Sequence, residues 1–340
     1  MARRKLQVVI SQAPGKHPIK RQLEEELATA LMLEPDVEVS LIPHVYDLTP
    51  DHHGLMWLKS LPGDFVILAW LYPRAVHWIL DRQGIRGQLG RTLLVSGEET
   101  TTDDETADHP STPTSATDVS SDLSPDPTGA AVPKRRIYAL DLRSQTQPGP
   151  YLEEIRRIAR ESNLAIVELT AWSDNSSSST SSLPILLAPS VNEQTRRRWY
   201  PVIDYSRCTN CLECLDFCLF GVYGVDQQQR IVVENQDECK KGCPACSRVC
   251  PANAIIFPEH KSPAIAGAAG GEVSDFKIDL SRLFGGPSAL ELAVQERDAE
   301  LIKDGREAVG ATVGLRKRQS DAACKPRDAL DDLLDGLESF

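Results

Sequence analysis

The stretch CTNCLECLDFC, residues 208–218, sets Cys208, Cys211, Cys214 and Cys218 in the pattern C-x2-C-x2-C-x3-C. The chain has 340 residues and nine cysteines, so nearly half of its thiols fall in eleven positions. A second run follows at residues 239–251, CKKGCPACSRVCP, with Cys239, Cys243, Cys246 and Cys250 in the pattern C-x3-C-x2-C-x3-C, closed by Pro251. Eight of the nine cysteines therefore lie between Cys208 and Cys250. Cys324 stands apart and reads as a free thiol of no special role.

The spacing points to an iron–sulfur cubane. Each iron corner wants one thiolate, and three cysteines in C-x2-C steps wrap a short loop around three corners. Such a loop also turns backbone N–H groups toward the sulfurs, where they offset negative charge. Zinc sites pair two C-x2-C units across a long spacer around one tetrahedral ion, which triple runs ending in x3-C do not suit. Near-adjacent thiols are too crowded for disulfides, and unpaired thiols suit a reducing, cytoplasmic setting. A single degenerate cluster is the remaining alternative.

Residues 199–260 resemble a bacterial-type ferredoxin carrying two [4Fe–4S] clusters. The likeness rests on CTNCLECLDFC, on Pro251, and on CPANAIIF, which in the family opens the returning strand. YPVIDYSRC and GVYGVDQQQRIVVEN fit its other strands. In two-cluster ferredoxins the fourth cysteine of each run ligates the other run's cluster. The resemblance thus implies one cluster on Cys208, Cys211, Cys214 and Cys250, and another on Cys239, Cys243, Cys246 and Cys218. Two departures stand out: Leu219 follows Cys218 where the family usually has Pro, and the second run opens with x3. The resemblance covers less than a fifth of the chain.

Outward from this segment the pattern changes. Residues 1–190 read as one layered, parallel α/β domain with insertions at 97–135 and 173–183. LQVVIS, VEVSLI, DFVILAW, TLLVS, RIYALDL, LAIVELT and LPILLAP read as strands. HPIKRQLEEELATALML reads as a helix with Ile19, Leu23, Leu27, Ala30 and Leu31 on one face. RAVHWILDRQG is a helix ending at Gly84, and PYLEEIRRIARES is another. Alternation of this kind implies a parallel sheet layered with helices. The insertions, rich in Thr, Ser, Asp and Pro, bury too little to offset their ordering entropy, so disorder is expected there. Residues 198–260 form the ferredoxin segment, 261–276 a small-residue linker, and 277–340 a helical tail. In that tail Leu290, Ala293, Val294 and Leu301 share one side, and Leu330, Leu333, Leu334 and Leu337 another.

The net charge is −12, yet residues 98–126 hold nine acids and no Lys or Arg, which leaves −3 elsewhere. That balance argues against nucleic acid as a partner. No window approaches the ~18 apolar residues of a membrane span. The basic tip MARRKLQVVISQ leads into too short an apolar run for an export signal, and reads as a first strand.

Within residues 198–260 six basic side chains face eight acidic ones, and all-Cys clusters add further negative charge, so low reduction potentials are expected. The segment offers no acid/base pair, so it carries electrons and makes no bonds. The leading reading is a non-catalytic electron carrier or subunit, docked to redox partner proteins through the α/β domain and the tail helices. One alternative is an oxidoreductase with a flavin or nucleotide in the α/β domain and the clusters as relay. Another is a cluster-bearing scaffold or redox sensor. SQAPGKHPIK follows the first strand, where phosphate loops sit, but lacks GxGxxG and GxxxxGK[ST], and reads as a turn with surface lysines. Adjacent His52 and His53 point apart and do not suit one metal. Trp70, Tyr72, His77 and Trp78 read as packing residues in preference to a flavin pocket.

Overall fold

The computed structural model describes residues 5–15, 17–94, 133–171, 195–268 and 287–314. These fall into two compact units, one drawn from 1–198 and 258–270, the other from 199–257 and 271–340. Among the described residues no helix is long and apolar enough to cross a membrane.

In the first unit, β-branched runs become strands and amphipathic runs become helices. The order is β1 (Leu6–Ser11), α1 (Pro18–Met32), β2 (Val37–Ile42), α2 (His53–Ser60), β3 (Phe65–Ala69), α3 (Pro73–Arg82), β4 (Gln88–Leu89), β5 (Arg136–Asp141) and α4 (Pro148–Ala171). The five strands are all parallel, in the order β2-β1-β3-β5-β4. Successive strand residues face opposite sides. Val8, Ile10, Val66, Leu68, Tyr138 and Leu140 turn to one side, where Leu23, Leu27 and Leu31 of α1 and Tyr151, Ile155 and Ile158 of α4 cover them. Val9, Ile67, Ile137 and Ala139 are buried on the other. There α3 packs on β5 and buries Ala75, Val76, Ile79 and Leu80. β3 is buried along its whole length, as a central parallel strand covered on both faces must be. Pro258–Gly270 adds the short helix α7 (Pro263–Ala266), with Ile265 and Ala266 buried, inside the segment read as a linker.

Several expectations need correcting. The buried stripe of α1 is Leu23, Glu24, Leu27, Ala28 and Leu31; Ala30 is only half-buried and Ile19 is 72% exposed. At 3.6 residues per turn, Ile19 sits roughly 110° around the helix from the centre of that stripe. TLLVS is not a strand over its described residues. The ladder with β5 is made upstream by Gln88 and Leu89, flanked by Gly87 and Gly90. A Cβ on Gly90 would lie 2.3 Å from the Tyr138 ring, so only glycine permits this approach. LAIVELT continues α4 as helix. Between Tyr151 and Thr170 there is no Gly or Pro to stop it, and a short apolar run has no period of its own to make it a strand. α2 was not foreseen. His52 caps it, its Nδ1 accepting from the Gly54 N–H at 3.0 Å. LPILLAP, the 173–183 insertion, residues 97–132 of the other insertion, Cys324 and the helix expected around Leu330 to Leu337 lie outside the described residues.

The second unit is built from much shorter pieces. β6 (Val202–Ile203) pairs antiparallel with β9 (Ile255–Ile256), and β7 (Tyr223–Val225) with β8 (Ile231–Val233). The two cysteine runs carry α5 (Glu213–Phe217) and α6 (Ala245–Val249). α8 (Ala289–Lys303) opens with a reciprocal Ser288–Glu291 capping box, which satisfies two free helix-end donors. It packs on α6, with Ala293, Leu290 and Val294 against Phe217, Ala245 and Val249.

Candidate metal centre

The loop through the first run is bent by residues that leave the ordinary backbone regions. Asn210 (φ 55°) and Leu212 (φ 63°) are both left-handed. Such alternation turns successive N–H groups inward. Asn210 holds the bend by accepting from the Ile231 N–H (2.9 Å) and donating to the Gln229 carbonyl (2.8 Å), which ties the loop to the β7–β8 hairpin. In the second run Gly242, which lies within the x3 spacing, is left-handed (φ 88°).

These bends gather the eight thiols around two hollows. One, about 350 Å³, is lined by Cys208, Cys211, Cys214 and Cys250, with Ile203, Ile231 and Ile255 among the apolar walls. The other, about 330 Å³, is lined by Cys218, Cys239, Cys243 and Cys246, together with Phe217, Tyr223, Lys240 and Arg297. Each hollow thus takes three cysteines from one run and one from the other. Cys239, displaced by the x3 spacing, still reaches its hollow. Among the described residues no three Cys, His, Asp or Glu side chains gather as they would around a single metal ion.

The surroundings of the sulfurs suit thiolates bound to a cationic centre. Backbone N–H groups face them: Asn210 toward Cys208, Phe220 and Val222 toward Cys218, Ala245 toward Cys243, and Ala252, Ala254 and Ile255 toward Cys250. The Ala254 N–H lies 3.3 Å from Cys250 Sγ. The Tyr223 hydroxyl donates to Cys246 Sγ at 3.0 Å. Yet burial pushes the thiols the other way. It raises Cys214, Cys239 and Cys246 far above the usual thiol range and takes Cys243 to about 11. Donors aimed at thiols whose neutral form burial favours suit a metal that would displace their protons. All-sulfur donor sets select soft or iron–sulfur centres.

Three contributors were not read from the sequence: Tyr223, Arg297, and Trp199, whose indole N–H donates to the Cys243 carbonyl at 3.2 Å. Arg297 did leave a signal. It stands seven residues after Leu290, in the same helical stripe as Ala293, Val294 and Leu301, where an apolar residue is expected. Leu219, in place of the family's Pro, presents its carbonyl to Arg306 Nη1 at 2.9 Å.

The α/β loops look different. The Ala13 N–H, which a phosphate loop would present to its ligand, is engaged by the buried carboxylate of Glu24 at 2.5 Å. That carboxylate also accepts from the Trp70 indole at 2.8 Å. Tyr72 lies beneath the Arg143 guanidinium, 3.8 Å from its ring centre, and His77 meets Trp78 edge-on. All four of Trp70, Tyr72, His77 and Trp78 are half-buried on the border of the core.

Fold and site define a ferredoxin-type iron–sulfur domain. No protein-family model and no solved structure matches the chain. It is 48% identical over 66 residues to an uncharacterized ferredoxin of Methanocaldococcus jannaschii, which is 19% of this chain and 44% of that relative. It is 36% identical over 61 residues to pyruvate synthase subunit PorD of the same organism, 18% of this chain and 69% of the relative. The chain spans less than half the length of the first of these. Through this one domain it belongs to the ferredoxin family.

Proposed function

We propose that the chain is an electron-transfer subunit carrying two [4Fe–4S] clusters, one held by Cys208, Cys211, Cys214 and Cys250, the other by Cys218, Cys239, Cys243 and Cys246. The observation that supports this most is the presence of two hollows, each walled by four thiols in the crossed pattern of two-cluster ferredoxins. Bound there, each cluster accepts or gives one electron at a time. The chain's own residues hold the thiolates through N–H donors and the Tyr223 hydroxyl, and Ile203, Ile231 and Ile255 give the first hollow apolar walls.

PorD is by name a subunit of pyruvate synthase, and the present chain fits a comparable place in a redox complex, passing electrons between partner proteins. The α/β unit then serves docking. An organic cofactor there is the weaker reading, because Glu24 already engages the loop after β1.

The test is anaerobic purification with iron and sulfide counted, followed by EPR. About eight irons per chain and reducible signals from both clusters are expected, by the four-iron stoichiometry of each. Colourless material holding zinc or no metal overturns the proposal. About four irons reduces it to one cluster.

A further inference from the structure

The structure assigns Arg297, on α8, the role of setting the two cluster sites at unequal potentials, the Cys218–Cys239–Cys243–Cys246 site being the higher. This rests on the proposal above that each hollow holds a [4Fe–4S] cluster.

The two hollows differ in charge. Among the residues lining the first there is no cation, only cysteines, Thr209 and apolar groups. Beyond the neighbouring thiols, the charge acting on its Cys208 is Asp204, a carboxylate that is itself paired with Arg207 at 3.8 Å. The second hollow is lined by Arg297 and Lys240. Arg297 is 1% exposed. Its guanidinium lies 4.5 Å from the centre of the Phe217 ring, directly before Cys218 in the chain. It donates to the Val313 carbonyl (2.9 Å), the Gly310 carbonyl (2.6 Å) and Asp298 Oδ1 (3.0 Å). Asp298 is itself engaged by the Gly310 N–H through Oδ2, and it does not line the hollow. The positive charge is therefore fixed against the second site and favours negative charge on the Cys218 sulfur.

Other charges are weaker candidates. Lys240 is tied to Asp304 at 2.6 Å and is partly solvated. Glu296 and Glu300 oppose the effect at Cys243, but Glu296 is paired with Arg248 and Glu300 with Lys303. Water and salt screen such partly exposed pairs and screen a buried cation far less. Reduction adds one electron and no proton, so the site gains one unit of negative charge. A buried cation beside it stabilises that state and raises the potential. Arg297 touches no substrate and acts only through the field it imposes, so it is a positioning residue.

The experiment is a redox titration of the full chain with dithionite, followed by EPR, after iron has been counted. The wild type should reduce in two one-electron steps more than tenfold apart in equilibrium constant, about 59 mV for a one-electron couple. Arg297→Gln should move the higher step down at least tenfold and leave the lower one in place. Arg297→Lys, which keeps the charge, should restore it. A single merged step in the wild type overturns the inference, and this decides it even if both variants lose iron. Arg297→Gln with full iron that moves neither step, or both equally, overturns it too. A wild type with fewer than two clusters is a different failure, seen in the iron count, and removes the function proposal itself.

Discussion

The two units bury apolar surface on different scales. The first wraps helices over both faces of five strands, and one face alone gathers Leu6, Val8, Ile10, Leu23, Leu27, Tyr138, Ile155 and their neighbours. The cysteine unit has strands of two or three residues and two five-residue helices beside its thiols. Its distinct apolar cluster centres on Phe217, Ala245, Val249 and Ala293. Pieces so short cannot stand on propensity, since isolated helices need about 12–15 residues even to be marginal. On the proposed function, one unit is held by its core and the other leans on what its sulfurs bind.

The strongest way to break this contrast is to remove the metal. Stripping iron by oxidation and chelation should abolish hydrogen-exchange protection over 199–257 and 289–314 and leave β1 to β5 protected. Loss in both units, or in neither, would defeat the comparison. Next in size is Leu27→Ala, at a side chain with no exposure. A buried Leu→Ala change costs about 2–5 kcal/mol. It should lower urea stability of the α/β unit by that much, with visible cluster absorption per chain unchanged.

A smaller effect sharpens the account of the first unit. Burial holds His44 down to about 4 and lifts Asp47 to about 6. Glu259, whose Oε1 is 3.6 Å from His44 Nε2, does not reverse the first of these. His44 folds neutral, so its contribution is complete above its unfolded pKa near 6.5 and is lost as pH falls to about 4. Asp47 works in the opposite sense, adding stability as pH falls from about 6 toward 3.8. The wild type should be nearly flat across this range. Asp47→Asn keeps an oxygen for the Arg198 N–H, now 2.9 Å away, and removes the compensation. Stability of that variant should fall by roughly 2–3 kcal/mol between pH 6.5 and 4. A flat profile would count against it. The smallest change is Ser288→Ala, which removes the α8 cap and should cost about 1 kcal/mol. It should loosen 289–303 in exchange measurements without touching the α/β unit.

Much of the site was legible because ligand spacing is local. Both runs, the closing Pro251 and the x3 departure stand in plain sequence, and the placing of Cys218 and Cys250 each in the other run's hollow agrees with the ligand sorting that the ferredoxin resemblance implies. β1, β2, β3 and β5 were equally open as short β-branched apolar runs, and α1 and α3 through their helical period. The failures have physical causes. Gln88–Leu89 is too short to show a period, and glycines at 87 and 90 decide it through closeness to a neighbouring strand. LAIVELT is apolar without alternation. Arg297 lies far downstream of the last cysteine of the runs, and its partner hollow exists only once α8 is packed.

The crossed walls of the two hollows carry a consequence for biosynthesis. While a nascent chain still lacks Cys250, its first hollow has three of four thiols, although the whole opening run has long been translated. The second hollow likewise borrows a wall from that earlier run. On the proposed two-cluster function, loading at either place therefore waits for the same late segment, and both become competent almost together as it leaves the ribosome.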